Sequence, residues 1–157
     1  MADPPRKSIC RNRKAHFQYS IEETVEAGLV LTGSEVKSLR SGGANLGDAY
    51  AQVRGTEMFL HKAHIAPYVY AGRENHMPER VRKLLLHRRE IHRLGGRLRE
   101  RGLTLVPIEM YWKNGRAKVE LGLGRGKKMH DKRQAIATRE ADMRVRQATR
   151  RHAKRGG

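Results

Sequence analysis

The alternation of apolar and polar residues predicts a β-rich domain. Two runs, LTLVPIEMYW and RAKVELGL, alternate with a period of two and are joined by Lys113-Asn114-Gly115. Asn-Gly between two such runs is a strong short-range signal for a β-hairpin. In the second run Val119, Leu121 and Leu123 share one face, whereas Lys118 and Glu120 share the other. The pattern therefore predicts a hairpin with one side turned to a core.

Shorter alternating runs predict further strands at 16–21, 29–33, 49–55 and 57–65. The last two flank Gly55-Thr56 and are expected to form a second hairpin. Between the first two, residues 22–27 are predicted to form a short helical turn that ends at Gly28, because glycine is common just after a helix.

Two helices are expected between the strands. Ser34 is a good N-cap for SEVKSLR, which Gly42-Gly43 would end. The longest helix is predicted over residues 81–102, where Ile91, Leu94 and Leu98 recur at helical spacing. Gly95-Gly96 inside it costs roughly 1 kcal/mol per glycine relative to alanine. A closely packed or weakened turn is expected there, with a break as the alternative.

These elements together predict a mainly β fold. About six strands with short flanking helices favour an OB-like antiparallel barrel of Greek-key type. A split α+β domain, with one sheet and packed helices, is the alternative. The predicted domain division is a flexible basic arm at 1–11, an OB-like body at 12–123 and a basic tail at 124–157. The body contains an exposed loop at 71–80.

The charge points to a polyanionic partner. The formal net charge is +18, with 34 Lys and Arg against 16 Asp and Glu. Nucleic acid is the first candidate and an anionic membrane the second. No apolar run reaches the 18 residues of a membrane helix and no secretory signal is seen, so a cytoplasmic protein is expected. Cys10 is the single cysteine, which excludes an intrachain disulfide.

The tail holds half of this excess charge. Residues 124–157 contain 12 Lys and Arg against 3 acids and no Phe, Trp, Tyr or Leu. Such a segment buries too little apolar surface to order itself and is predicted to be largely disordered when free. Met129, Ile136 and Met143 recur every seven residues and would line one side of a helix formed on contact with RNA. Gly122, Gly124 and Gly126 are expected to give a flexible exit from the last strand.

No enzyme, metal or cofactor motif is found. GLGRGKK lacks the glycine and Ser/Thr positions of a phosphate-binding P-loop. His61 and His64 would point to opposite faces of a strand, and no helical HxxxH pair exists. The function classes that remain are an RNA-binding adaptor, a structural ribosomal protein with a basic extension, and a small RNA nuclease.

Six segments in order resemble small protein B, the SsrA-binding protein family of bacterial ribosome rescue. They are NRKAHFQYSI, EAGLVLTGSEVKSLRSGGANLGDAY, HIAPY, RKLLLHRREI, GLTLVPIEMYW and GRGKKMHDKR. The resemblance covers roughly residues 12–140. It implies an OB-like body that binds the tRNA-like domain of transfer-messenger RNA (SsrA RNA) as a monomer. It also implies a tail that folds in the decoding centre and empty mRNA channel of a stalled 70S ribosome, against 16S rRNA, so that trans-translation tags the nascent peptide for degradation.

The resemblance also implies two sets of contact residues. Those for the tRNA-like domain are Asn12, Lys14, Glu26, Leu85 and His87. Those for the ribosome are Lys127, Lys128, His130, Asp131, Lys132, Arg133 and Arg139. Neither a catalytic group nor a cofactor is implied.

Overall fold

The fold is seen in a computed structural model that describes residues 5–127 and 129–155, with side chains in the last helix described at 133 and 136–148. The chain divides into two units, Met1–Gly126 and Lys127–Gly157. Their elements in chain order are β1 Arg6–Arg11, α1 Ala15–Gln18, β2 Tyr19–Leu29, α2 Gly33–Arg40, β3 Ala44–Asn45, β4 Tyr50–Arg54, β5 Glu57–His61, β6 His64–Ile65, β7 Arg82–Leu85, α3 Arg88–Leu98, β8 Leu103–Lys113, β9 Arg116–Gly126 and α4 Met129–Arg155.

The first unit is a closed antiparallel barrel. Its sheet runs in the order β1-β8-β4-β5-β7-β2-β9, and the additional β8–β9 pairing closes a ring of six strands. Strand β1 lies outside the ring, paired with β8. The short strands β3 and β6 form a separate two-stranded sheet. The predicted mainly β barrel with about six strands and short flanking helices is therefore confirmed.

The β8–β9 hairpin is the longest ladder of the barrel, and it turns where the sequence predicts. Asn114 and Gly115 both have positive φ, 53° and 71°. Two such residues give the turn whose twist matches the flanking strands. The predicted β4–β5 hairpin and helix α2 are also confirmed. Helix α2 is capped by Thr32 and not by Ser34.

Three predictions about residues 16–33 are wrong. The strand predicted at 16–21 begins only at Tyr19, because residues 16–18 lie in helix α1. Residues 22–27 are not a helical turn but the middle of β2, which pairs with β9 from Tyr19 to Gly28. Of the strand predicted at 29–33, only Leu29 is in a strand, as the last residue of β2. Residues 23–27 each lie opposite a residue of β9, and this ladder outweighs the local helical preference of Glu22, Glu23 and Glu26.

The predicted long helix is also shorter than expected. Residues 82–85 form β7, between β5 and β2, and the helix begins only at Arg88. Helix α3 continues through Gly95-Gly96 without a break. A Cβ on Gly95 would lie 3.6 Å from Val53 Cγ1, an ordinary van der Waals distance, so α3 packs on β4 here with room for a methyl group. From Arg6 onward, the segment expected to be a loose arm is strand β1.

The core fills the barrel and the space beneath α3. Its members are buried apolar side chains that come mainly from the strands of the ring and the inward face of α3. The most deeply buried include Met58, Leu60, Ile65, Leu84, Leu94, Leu105, Met110, Val119, Leu121 and Leu123. Two of the three glycines of β9 belong to this packing. A Cβ on Gly124 would lie 2.7 Å from the Ser20 carbonyl oxygen, and one on Gly122 would lie 2.7 Å from Ile108 Cδ1. The flexible exit predicted at Gly122, Gly124 and Gly126 is wrong, because all three lie in β9 and the first two make room for close strand contact.

A buried ion cluster ties α2 to β7. The fully buried Glu35 carboxylate accepts from Arg80 at 2.6 Å, from the Thr32 N–H at 2.8 Å and from Arg82 Nε. Arg82 also donates to the carbonyls of Ala63 and Pro78 at 2.7 and 3.0 Å. Burial raises the pKa of Glu35, but these donors outweigh it and lower that pKa to about 2. Both charges are thus compensated inside the fold.

Candidate nucleic-acid interface

Three predicted contact residues lie together on the barrel surface. Gly28 of β2 pairs with Leu85 of β7 in an antiparallel register. Glu26 lies two residues before Gly28 and His87 two residues after Leu85, so both follow the pair in the same direction. Leu85 is 53% exposed, although it is a large apolar side chain in a strand. The structure therefore brings an acid, an apolar platform and an imidazole to one patch.

The platform borders a shallow groove. Gly28 lies beneath Leu85, and a Cβ on this glycine would come within 3.2 Å of Leu85 Cβ. The groove has a volume of about 280 Å³, and Trp112, Arg116 and Lys118 of the β8–β9 hairpin line its other side. Apolar walls with cationic rims suit an unstacked base and its phosphate.

Glu26 is held in one orientation by neighbours on β8. The Tyr111 hydroxyl donates to Glu26 Oε2 at 2.5 Å, and Lys113 Nζ lies 3.2 Å from the same oxygen. Burial raises the pKa of Glu26, but the hydrogen bonds from Tyr111 and Lys113 and the charge of Lys118 outweigh it, so the net shift is downward. The carboxylate stays charged and accepts hydrogen bonds, as a base amino or imino group requires.

Tyr111 is fixed in turn by Arg6 of β1. The Arg6 guanidinium lies 4.2 Å from the centre of the Tyr111 ring and forms ion pairs with Glu109 at 2.7 Å and Glu120 at 2.6 Å. Burial and the adjoining Glu26 carboxylate raise the pKa of the Tyr111 hydroxyl, which therefore remains a donor. Sequence reasoning did not identify Tyr111 or Arg6. The spacing of two places Glu109, Tyr111 and Lys113 on one face of β8, and this pattern was the sequence signal that could have identified Tyr111.

Asn12 and Lys14 lie elsewhere on the sheet. Arg11 pairs with Glu109, Glu109 with Glu120 and Glu120 with Glu26. That row spans three strand spacings, about 14 Å, so the end of β1 does not adjoin Glu26.

The Asn12 side chain is turned inward. It is 8% exposed, and its amide donates to the carbonyls of Leu46 at 3.2 Å and Pro107 at 3.0 Å. Its Oδ1 atom is buried and has no hydrogen-bond partner in the part of the chain that the structure describes. Lys14, at the start of α1, is exposed. The geometry therefore gives Asn12 a bracing position and Lys14 an open one.

The residues predicted to contact the ribosome belong to the second unit, which the structure shows as helix α4. Lys127 precedes the helix and is half-buried, whereas Arg133 and Arg139 are exposed. Ile136 and Met143 are also exposed, at 45% and 52%. His130, Asp131 and Lys132 lie in the helix without described side chains, and Lys128 lies outside the described residues. The described part of the helix thus presents both charge and an apolar stripe at its surface.

The described part of the chain shows neither a group of metal-binding side chains nor a membrane-spanning helix. No group of three or more His, Cys, Asp or Glu side chains there could hold a metal ion. No described helix is long and apolar enough to cross a membrane.

Comparison with known proteins gives one consistent family. The sequence model described as "SmpB protein" matches residues 9–151. A protein of Desulforudis audaxviator named SsrA-binding protein is 54% identical over 150 residues, which are 96% of this chain and 98% of that protein. One of the same name from Geobacillus kaustophilus is 55% identical over 148 residues, 94% of this chain and 96% of that protein.

A solved structure is also similar. It is described as "tmRNA-SmpB: a journey to the center of the bacterial ribosome" and superposes with a TM-score of 0.66 at 44% sequence identity. The match covers 81% of this chain and 93% of that one.

Proposed function

The chain belongs to the SmpB protein family, and from this premise we propose that it is an RNA-binding adaptor of bacterial ribosome rescue. Its body binds the tRNA-like domain of transfer-messenger RNA and carries that RNA to stalled 70S ribosomes. Tagging of the stalled peptide follows on the RNA's own reading frame. This work takes place in the cytoplasm, with one copy of the protein on each RNA, and it requires no cofactor.

The patch around Glu26, Leu85 and His87 is the proposed site for the tRNA-like domain. The single observation that carries this assignment is an exposed Leu85 beside a carboxylate locked by Tyr111 and Lys113. Unpaired bases in a folded RNA loop present flat apolar faces and donor edges, and the patch offers a platform for the first and an acceptor for the second. His87 adds a group that can bind phosphate or a base.

Asn12 and Lys14 contribute a separate contact, at the end of β1 and the start of α1, away from the Glu26 patch. We assign the exposed Lys14 to an RNA phosphate. Asn12 holds the chain between β1 and α1 against Leu46 and Pro107, so it acts on RNA through the placement of Lys14.

The tail is the proposed ribosome-binding segment. Lys127, Lys128, His130, Asp131, Lys132, Arg133 and Arg139 are assigned to the decoding centre and the mRNA channel. A segment that enters a channel walled by RNA must neutralise phosphates along its length. Successive Lys and Arg side chains do this, and their binding releases counterions from the phosphates. Side chains at 133 and 136–148 are exposed, so no burial of theirs stabilises α4 in the free protein. The tail is therefore disordered when free and becomes helical against ribosomal RNA.

The protein acts by binding and catalyses no reaction. RNA recovered from a pull-down of the tagged protein should be dominated by transfer-messenger RNA; recovery of ribosomal RNA alone would contradict the proposal. A structural ribosomal protein would stay with the subunit through a high-salt wash, whereas an adaptor leaves. A nuclease would cleave labelled structured RNA, whereas this protein should bind it without products.

A further inference from the structure

The loop of residues 68–77, which we name the aromatic loop, exposes large apolar side chains on a rigid backbone. Val69 is 86% exposed, Tyr70 85% and Met77 75%. These are the three largest exposures among the big apolar residues of the described chain, and all lie within ten residues. Exposed apolar side chains grouped in this way mark interaction surfaces more often than scattered ones do.

The loop is braced from within. Asn75 accepts from the Tyr68 N–H at 3.0 Å and donates to the Tyr68 carbonyl at 2.8 Å, which closes the loop into one shape. The Ala71 N–H also donates to the Tyr68 carbonyl, at 3.0 Å. A segment fixed by this many bonds holds its tip side chains out with little entropy left to lose on binding.

The base of the loop is anchored to the body by His76, which is 8% exposed. Its Nε2 lies 2.9 Å from the Ile65 carbonyl, and its Nδ1 lies 2.9 Å from the Ser34 hydroxyl of α2. Because a carbonyl oxygen can only accept, Nε2 donates to Ile65, and Nδ1 is hydrogen-bonded to the Ser34 hydroxyl. Val69 and Tyr70 are thus exposed on a loop whose base is fixed to the body.

Aromatic rings and cations suit this loop to an unpaired base. The Tyr68 and Tyr70 rings meet edge to face at 5.5 Å, which leaves a face of Tyr70 open, and Lys37 Nζ lies 5.8 Å from the Tyr68 ring centre. Arg73 and Glu74 carry opposite charges within the loop, so the positive charge beside the rings is that of Lys37 of α2. Aromatic stacking beside phosphate-binding cations is how proteins hold single-stranded nucleotides.

The aromatic loop and the Leu85 groove lie on different sides of α2. Ser34 and Lys37 contact the loop, whereas Val36 lines the groove with Leu85. At 100° per residue, Val36 lies about 130° round the helix from the midpoint of Ser34 and Lys37. A base that binds in the groove therefore lies on the other side of α2 from Tyr70.

We propose that the aromatic loop is a second RNA-contact surface, on which Tyr70 stacks against an unpaired base of ribosomal RNA. The choice of ribosomal RNA rests on the proposed function, because the tRNA-like RNA occupies the groove on the other side of α2. The loop gives the body its own hold on the ribosome, separate from the tail.

The test measures two affinities for each variant of the full-length protein at fixed salt. The probes are 70S ribosomes free of transfer-messenger RNA and a labelled tRNA-like RNA fragment. We expect Tyr70→Ala to weaken ribosome binding about 10-fold, in line with the loss of one stacked base. Its affinity for the fragment should be unchanged. Tyr70→Phe, which keeps the ring, should bind ribosomes like the wild type.

Three results would overturn the proposal: unchanged ribosome affinity in Tyr70→Ala, a loss confined to the fragment, or an equal loss in Tyr70→Phe. Thermal melting checks the fold, which a side chain 85% exposed should not alter. Leu85→Ala serves as the separate check on the groove. If that variant keeps full affinity for the fragment, the site assigned under the proposed function fails, whatever Tyr70 shows on ribosomes.

Discussion

Replacing Tyr111 with phenylalanine tests whether Glu26 must be held in place to bind RNA. The change removes one hydroxyl and leaves the buried ring and its contact with Arg6. That hydroxyl donates to the Glu26 carboxylate at 2.5 Å. A hydrogen bond to a charged group contributes about 1.5–3 kcal/mol when buried. The Glu26 side chain is 37% exposed, so water replaces part of the bond, and we expect a loss of about 1 kcal/mol in unfolding free energy.

The RNA affinity should change for a different reason. Without the hydroxyl, Glu26 keeps the cations Lys113 and Lys118 near it but samples several rotamers. If restoring the binding orientation of Glu26 costs about 1 kcal/mol of binding free energy, the complex with the tRNA-like fragment becomes roughly 5-fold weaker. The pKa of Glu26 should rise, because the hydroxyl bond is one of the contacts that lower it.

The assay is fluorescence anisotropy with a labelled tRNA-like fragment, repeated as the pH falls. The advantage of the wild type over Tyr111→Phe should shrink as Glu26 becomes protonated, because a depressed carboxyl pKa contributes only while the group is charged. Tyr50→Phe is the matched control, since the Tyr50 ring stacks on His61 and lies away from Glu26. Wild-type affinity in Tyr111→Phe, together with a large loss in Glu26→Ala, would refute the reasoning.

Three further predictions concern the core and the tail. Glu35→Gln leaves the charge of the buried Arg82 uncompensated and should lower the unfolding free energy, measured in urea, by about 3–5 kcal/mol. In the wild type, the stabilisation that Glu35 contributes should be complete above the ordinary carboxyl pKa and be lost as the pH falls towards 2. The variant should show no such loss. Gly124→Ala should lower the unfolding free energy by about 1–3 kcal/mol because its Cβ meets the Ser20 carbonyl, while Gly126→Ala, with no atom within 4 Å, should melt like the wild type; equal melting of both variants would contradict the packing argument. A peptide of residues 127–157 should show little helical circular dichroism alone and gain it on adding ribosomal RNA; full helicity without RNA would contradict folding on contact.

Local signals were enough to predict the hairpins and one helix. Asn114-Gly115 and the alternation on both sides of it identify β8 and β9 because turn and strands are encoded within a few residues. The same holds for β4, β5 and α2. Glu26, Leu85 and His87 came from the family resemblance, and the structure places them on one patch.

Other features depend on partners that are distant in the chain. VRKLLLH is apolar enough for a helix or a strand, and only the free edges of β2 and β5 decide for β7. Gly124 looks like a flexible linker until Ser20 is known to lie across from it. The Tyr111–Glu26 bond requires the β8–β9–β2 register, and the burial of Asn12 requires the approach of Leu46. None of these follows from spacing within one segment.

The central claim is that the body recognises transfer-messenger RNA while the tail acts only in the ribosome. The most direct measurement compares full-length protein with a chain ending at Gly126, using affinity for the tRNA-like fragment and peptide tagging on stalled ribosomes. The account predicts nearly equal affinity for the fragment and no tagging by the shortened chain. Equal loss of both activities would contradict it.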